Sequence, residues 1–250
     1  MYHSEYEHTA VYASPPTPHR RRRIVAVVSL AALLLGAVVV DRVAAARAES
    51  RTAKAFQDGM GTPERPDVHV SGFPVLNQLA EGRLRHVDIT AHDIPARGTE
   101  RPLPVTELTV GIDGLKTSGS ADAAHARSVE ATARLSYEDV SQALGVDVSR
   151  GDEAGRVDVS VSLPLAGDVT LSADVSAASG NRIVFSDLRV TEGELIPPAK
   201  ALLDQAMETP VPVQNVPEGL SLRSVTTTED GIDARFTGTE VTFHPDSTSA

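Results

Sequence analysis

Cysteine and tryptophan are both absent from the 250 residues. Without cysteine the chain has no disulfide, no thiolate metal site, no thiol nucleophile and no lipidated N-terminal cysteine. An exported domain of ordinary size folds without disulfides, so their absence does not assign the chain to the cytosol. Aromatic residues make up only 4% of the sequence, too few for platforms that stack on bases or sugars. The Gly-x-Ser-x-Gly elbow, His-Glu-x-x-His, the Walker loop and the dinucleotide fingerprint are missing too. His69, His86, His92 and His125 do not fall at metal-ligand spacing, and Glu138/Asp139 and Glu229/Asp230 sit where acids cap helices and shape turns. His86 and Asp88, two apart on a strand, can pair at the surface. The expectation is a protein that is not an enzyme and uses neither cofactor nor metal.

Charge is present but unevenly placed. Residues 1–48 carry six arginines against Glu5, Glu7 and Asp41, a net of +3, which leaves −14 for the rest of a chain whose total is −11. A body this acidic is repelled by nucleic acid and by bare anionic headgroups, which removes nucleic acid as a partner.

One long apolar run stands near the N-terminus. Residues 24–40 contain no charge and follow His19 and Arg20, Arg21, Arg22 and Arg23. Seventeen residues of helix reach roughly 25 Å, the low end of a bilayer core. Arginines on its N-terminal side orient it with the N-terminus cytoplasmic and the remainder outside. Cleavage as a signal peptide competes with retention as an anchor, because Ala46-Arg47-Ala48 has the small-x-small pattern. Asp41 and Arg42 intervene before that site, and Val43, Ala46, Ala53 and Phe56 suggest one helix continuing out of the membrane, which favours the anchor. A core helix is a poor account of a run abutting four arginines.

The division expected is therefore a disordered cytoplasmic tail with the arginine run over 1–23, a transmembrane anchor (or signal segment) over 24–40, and a helix leaving the membrane over 41–60. A folded domain over 61–244 and a short disordered tail over 245–250 complete it. Within the domain, apolar residues recur with period two: Leu108, Val110 and Ile112; Val129, Ala131, Ala133 and Leu135; Val157, Val159, Val161 and Leu163; Val169, Leu171, Ala173 and Val175. Further strands are expected over 181–190 and 219–228, and Glu229-Asp230-Gly231 reads as a hairpin turn with glycine at positive φ before Ile232, Ala234 and Phe236. Ser136-Tyr137-Glu138-Asp139 reads as a capping box leading into Val140 and Leu144, and Pro197-Pro198 as the opening of a helix with Ala201, Leu202 and Met207. The class is α+β: a long curved antiparallel sheet, apolar on one face, wrapped around helices and preceded by the transmembrane helix.

The remaining signal lies in residues 71–82. Gly72 allows a sharp turn, Pro74 opens a short helix carrying Val75, Leu76, Leu79 and Ala80, and Gly82 ends it before a strand with Val87, Ile89 and Ala91 inward. This wording resembles the opening motif of the actinobacterial LmeA-like phospholipid-binding family, formerly a domain of unknown function. The match runs through Gly72, Phe73, Pro74, Leu76, Gln78, Leu79, Gly82, Val87 and Ala91, with Val75 where the family often has an aromatic. It continues weakly through residues 135–140 and Leu220, over roughly 43–243. The resemblance implies a tubular lipid-binding fold with an apolar slot, phospholipid as partner, and a role in cell-envelope lipid or lipoglycan handling. It brings Phe73, Val75, Leu76 and Leu79 forward as lipid-binding candidates, with Phe73 packed beneath a helical face formed by the two leucines. The competing account gives both leucines to docking the helix on the sheet, and the competing function is an envelope interaction or scaffold protein that binds no lipid.

Overall fold

The computed structural model describes residues 18–95, 103–117, 123–163, 167–193, 210–213 and 216–243. Two compact units divide at residue 43, and each is described by itself. Helix α1 (Pro18–Met60) contributes to both, and the arginine run falls in its first turns. In the first unit its leucines and valines are turned outward, with Leu33 and Leu35 exposing 71% and 67% of their surface. An apolar surface of this kind on every side of a helix needs a protein interior or a membrane around it. The segment is long and apolar enough to cross a bilayer, with a mean hydropathy of 2.0 in its most apolar stretch, as a signal sequence also is.

In the second unit the rest of α1 packs on a sheet through Ala45 and Phe56, and Ala53 is buried too. Val43 and Ala46 from the expected stripe are exposed instead. The row follows steps of four from Ala45 through Glu49 to Ala53, and a purely apolar pattern skips Glu49. Its carboxylate accepts the Val70 N–H at 2.9 Å, so a charged residue occupies the packing face.

Antiparallel strands build the remainder, as the α+β class requires, but they form two open sheets in place of one. The first has β1 (Asp67–Ser71), β2 (Arg83–Ile94), β3 (Val105–Thr117), β4 (Ala124–Ser136), β10 (Glu218–Thr227) and β11 (Gly231–Phe243), in the order β1-β2-β3-β4-β11-β10. The second has β5 (Asp147–Arg150), β6 (Arg156–Leu163), β7 (Gly167–Ala178), β8 (Arg182–Glu192) and β9 (Val211–Pro212), in chain order. Two apolar clusters hold them. One joins α1 to the first sheet through Ala45, Val70, Val87, Ile112, Val129 and Val241. The other lies between sheets, where Ala131, Leu222, Val225, Ala234 and Phe236 of the first meet Val157 and Val175 of the second.

Asn181, in the turn between β7 and β8 at φ 54°, ties the sheets together by hydrogen bonds. Its side-chain oxygen accepts the Leu222 N–H at 2.7 Å and its amide donates to the Leu220 carbonyl at 3.3 Å. Inside the second sheet Arg156 is buried, and its guanidinium donates to Ser172 Oγ, Asp174, Asp187 and two carbonyls at 2.7–3.1 Å. A buried guanidinium is tolerated only when its donors are satisfied in this way.

Helix α3 (Tyr137–Leu144) starts at the expected cap. Ser136 Oγ accepts the Asp139 N–H at 3.0 Å, and Gly145 closes the helix in the left-handed region. The reciprocal half of the box runs through a third residue: Thr106 accepts the Ser136 N–H at 2.8 Å and donates to the Asp139 carboxylate.

Two expectations are corrected. Gly231 does not sit at positive φ; it begins β11, and a Cβ there would lie 2.1 Å from the Leu135 carbonyl oxygen. Close approach of β4, rather than turn geometry, requires glycine. Of the apolar residues described on β6, Val157 is fully buried, whereas Val159 and Val161 are half-buried like Asp158 and Ser160; Ser162 is exposed as the alternation expects, and the burial of Leu163 lies outside the described residues. The strand with a continuous buried face is its neighbour β7, through Val169, Leu171, Ala173 and Val175, because β7 lies between β6 and β8 in the middle of the sheet. The helix expected from Pro197 to Met207 and most of the turn over 164–168 lie outside the described residues.

This burial gradient along β6 separates two substitutions. Val157→Asp places an unpaired carboxylate in the intersheet core and is expected to cost about 3 kcal/mol or more. Val161→Asp, half-buried near the open end, is expected to cost about 1 kcal/mol. Urea unfolding of the two variants checks the difference, and equal midpoints would contradict it.

Candidate functional site

The turn between β1 and β2 carries the residues singled out from the sequence, and its backbone explains which of them face outward. The ladder of β1 and β2 ends at Ser71 and His86. Beyond it Gly72 takes φ 101°, a region that side chains rarely adopt. A Cβ at Gly72 would lie 2.9 Å from Gln78 Nε2 and would displace that amide, so a side chain here is opposed first by conformation and then by the Gln78 hydrogen bonds. The Phe73–Pro74 bond is cis. Pro74 is the residue before helix α2 (Val75–Ala80), one place earlier than a first helical position, and Gly82 follows the helix at φ 63°.

Gln78 then does in side-chain form what the ladder no longer does. It is buried, its Oε1 accepts the Arg85 N–H at 2.8 Å, and its Nε2 donates to the Ser71 carbonyl at 3.4 Å. One amide thus spans the open end of the β1–β2 pair and holds α2 across it. Val75 is fully buried in the α1–sheet cluster. With Val75 and Gln78 turned inward, three residues apart, the neighbouring positions must turn outward.

That is where the apolar residues lie. Phe73 exposes 51% of its surface, Leu76 40% and Leu79 39%. Of the four candidates, Phe73, Leu76 and Leu79 therefore form an outward apolar tip, and Val75 is the anchor beneath it. Phe73 and the two leucines are thus on the exposed side of the turn and helix, with Val75 and Gln78 on its buried side. Beside the tip is a recess of about 340 Å³ lined by Pro74, Asn77, Gln78, Glu81, Arg83 and Arg85. A second, shallower recess of about 550 Å³ lies between α3 and β6, lined by Ser141, Gln142, Val146, Asp147, Ser160 and Val161 among others. Both recesses are open to the surface and carry polar residues in their lining.

A family model described as LmeA-like phospholipid-binding matches residues 39–237. The chain belongs to this family. No curated protein and no solved structure matches the chain significantly. The family's opening motif acquires a physical reading from the turn: Gly72 and Gln78 build the closure, Val75 anchors it, and Phe73, Leu76 and Leu79 are presented on it. Phospholipid binding is the property that membership supports.

Sequence reasoning missed Arg83 and Arg85 beside the tip, although two arginines following the motif in so acidic a domain were a usable signal. It also missed half of a second polar arrangement, on β2 and β3. His86 Nε2 lies 2.9 Å from Asp88, as the two-residue spacing allows, and Nδ1 lies 2.7 Å from Asp113, which also accepts from Ser128 at 3.3 Å. Asp113 is 27 residues away in the chain, so only strand pairing brings it in. Its hydrogen bond, then the one from Asp88, raises the His86 pKa above 6.5, and the same imidazole lowers the Asp113 carboxyl below 3.8. Among the described residues no cluster could hold a metal ion.

Two outcomes test this site. Val75→Ala is expected to cost about 1–3 kcal/mol, whereas Leu79→Ala, at the exposed tip, is expected to cost under about 1 kcal/mol; equal losses in thermal or urea unfolding would place both side chains in the core. The His86 contribution to stability is present below pH 6.5 and is lost as pH rises through its raised pKa, while that of Asp113 is present above 3.8 and is lost as pH falls. The His86 ring should titrate above 6.5 by NMR and move down in Asp113→Asn.

Proposed function

We propose that the protein is an exported phospholipid-binding protein, tethered by its N-terminal helix, that holds or shuttles lipid for the maintenance of cell-envelope lipid or lipoglycan. The observation that carries this reading is the family match over residues 39–237, which takes in nearly all of the two-sheet unit. The apolar run with arginines before it supports the tether and the orientation, N-terminus cytoplasmic and sheets outside.

The work proposed is binding, not bond-making. Removing an acyl chain from water is worth ~0.8 kcal/mol per methylene, on the order of 10 kcal/mol per chain. A bilayer offers nearly the same gain, so passage between bilayer and protein is close to neutral in free energy. A protein doing this needs apolar contact for the chain and polar contact for the headgroup, and no activated nucleophile. A second reading, an envelope interaction protein that binds no lipid, draws on the packed intersheet cluster together with the exposed tip.

Full-length protein bearing a reporter active only in the cytoplasm after Ala250 should be found in membranes with the reporter silent. A chloroform extract of the purified protein should contain phospholipid by mass spectrometry. A folded protein that carries and exchanges no lipid would reject the first reading in favour of the second, and an active reporter would reject the orientation.

A further inference from the structure

The tip at α2 pairs two features that usually occur apart on a protein surface. Phe73, Leu76 and Leu79 put three large apolar side chains outward within one short turn-and-helix. Directly beside them Arg83 and Arg85 line a recess with Glu81. Among the described residues neither guanidinium has an ion pair or side-chain hydrogen bond, unlike Arg134 and Arg156, which are held by aspartates. The anchoring below is stiff: Val75 is fully buried, and Gln78 bonds to the ends of both flanking strands. Three apolar side chains on a firm base, with two cations at their edge, match the two layers of a phospholipid surface, acyl chains below and phosphates at the rim.

The chain itself brings a bilayer within reach. Val75 and Ala45 belong to one packed cluster. Ala45 lies five residues after Val40, the last residue of the apolar run. Five residues of any conformation span at most about 18 Å. The apolar run therefore ends within about 18 Å of Ala45, a member of the same cluster as Val75, by chain length alone.

We propose that Phe73, Leu76 and Leu79 insert into the surface of the bilayer that anchors the chain, and that Arg83 and Arg85 take the phosphates of phospholipids at that surface. The site is where the domain meets its membrane, rather than the lining of an internal slot. This rests on the tethered, exported reading above. Docking here also offsets the repulsion between an acidic body and an anionic surface, since the approach is made through the two arginines.

The absence of tryptophan makes the test direct. Full-length single-tryptophan variants Phe73→Trp, Leu79→Trp and, as a reference on α3, Leu144→Trp are reconstituted in phosphatidylcholine/phosphatidylglycerol vesicles with or without brominated acyl chains. All three positions are already substantially exposed, so the fold is expected to persist, and circular dichroism checks it. Bromine should quench the indole introduced at position 73 or 79 at least threefold more than the α3 reference, with blue-shifted emission. Arg83→Gln with Arg85→Gln should reduce quenching at position 73 and leave the reference unchanged. Quenching at 73 and 79 no greater than at 144 would overturn the proposal, and if lipid still co-purifies, phospholipid binding survives it. Full quenching in detergent at one brominated lipid per protein would overturn it in favour of an internal slot. Strong quenching in vesicles from a protein that carries no lipid after extraction supports docking and removes only the carrier role.

Discussion

The pairing of β4 with β11 is the constraint on which the two-sheet unit depends. It joins residues about a hundred positions apart, from Gly231 against Ser136 to Phe243 against Ala124, and it sits inside the first sheet. Both faces use it. On the inner face Ala131, Ala234 and Phe236 supply the seat for Val157 and Val175 of the second sheet. On the outer face Arg134 and Asp233, opposite one another across the ladder, form an ion pair at 2.9 Å. A slip by one residue would reverse both faces at once. It would also bring a side chain where Gly231 meets the Leu135 carbonyl. The ion pair is exposed enough to contribute little energy, so the apolar seat and the glycine contact set the register.

The tip at α2 follows from a different kind of constraint, the obligation of backbone groups at the end of a ladder to find partners. A side-chain amide meets it, and meeting it turns α2 so that only Val75 and Gln78 go inward. Apolar residues in the rest of the helix are left on the surface by geometry. In a protein confined to water that exposure is unfavourable, and the chain that carries it belongs to a phospholipid-binding family.

Local signals read well from the sequence. The period-two runs found most of the strands, Ser136 found the start of α3, and residues 71–82 found both the turn and the family. What escaped was long-range. Glu49 sits in the packing row of α1 because Val70 needs an acceptor, and nothing near Glu49 in the chain says so. Gly231 looked like a turn glycine because its neighbours Glu229 and Asp230 are turn residues, whereas its need comes from β4. Alternation marked β6 as strongly as β7, yet alternation does not report where a strand lies in its sheet. For Phe73, Leu76 and Leu79 the helical spacing was legible, and the side they face was decided by Gln78.

An open sheet ends in two rows of unpaired backbone groups, and such rows invite further strands. In the first sheet both edges are occupied by side chains from elsewhere. Glu49 takes the Val70 N–H on β1, and Asn181 takes the Leu222 N–H and the Leu220 carbonyl on β10. A strand of a second copy of this chain therefore meets a sheet already terminated at those points. The two side chains oppose edge-to-edge extension of the sheet at positions separate from the apolar tip, so exposure of apolar side chains at α2 is not accompanied by open backbone groups at these sites.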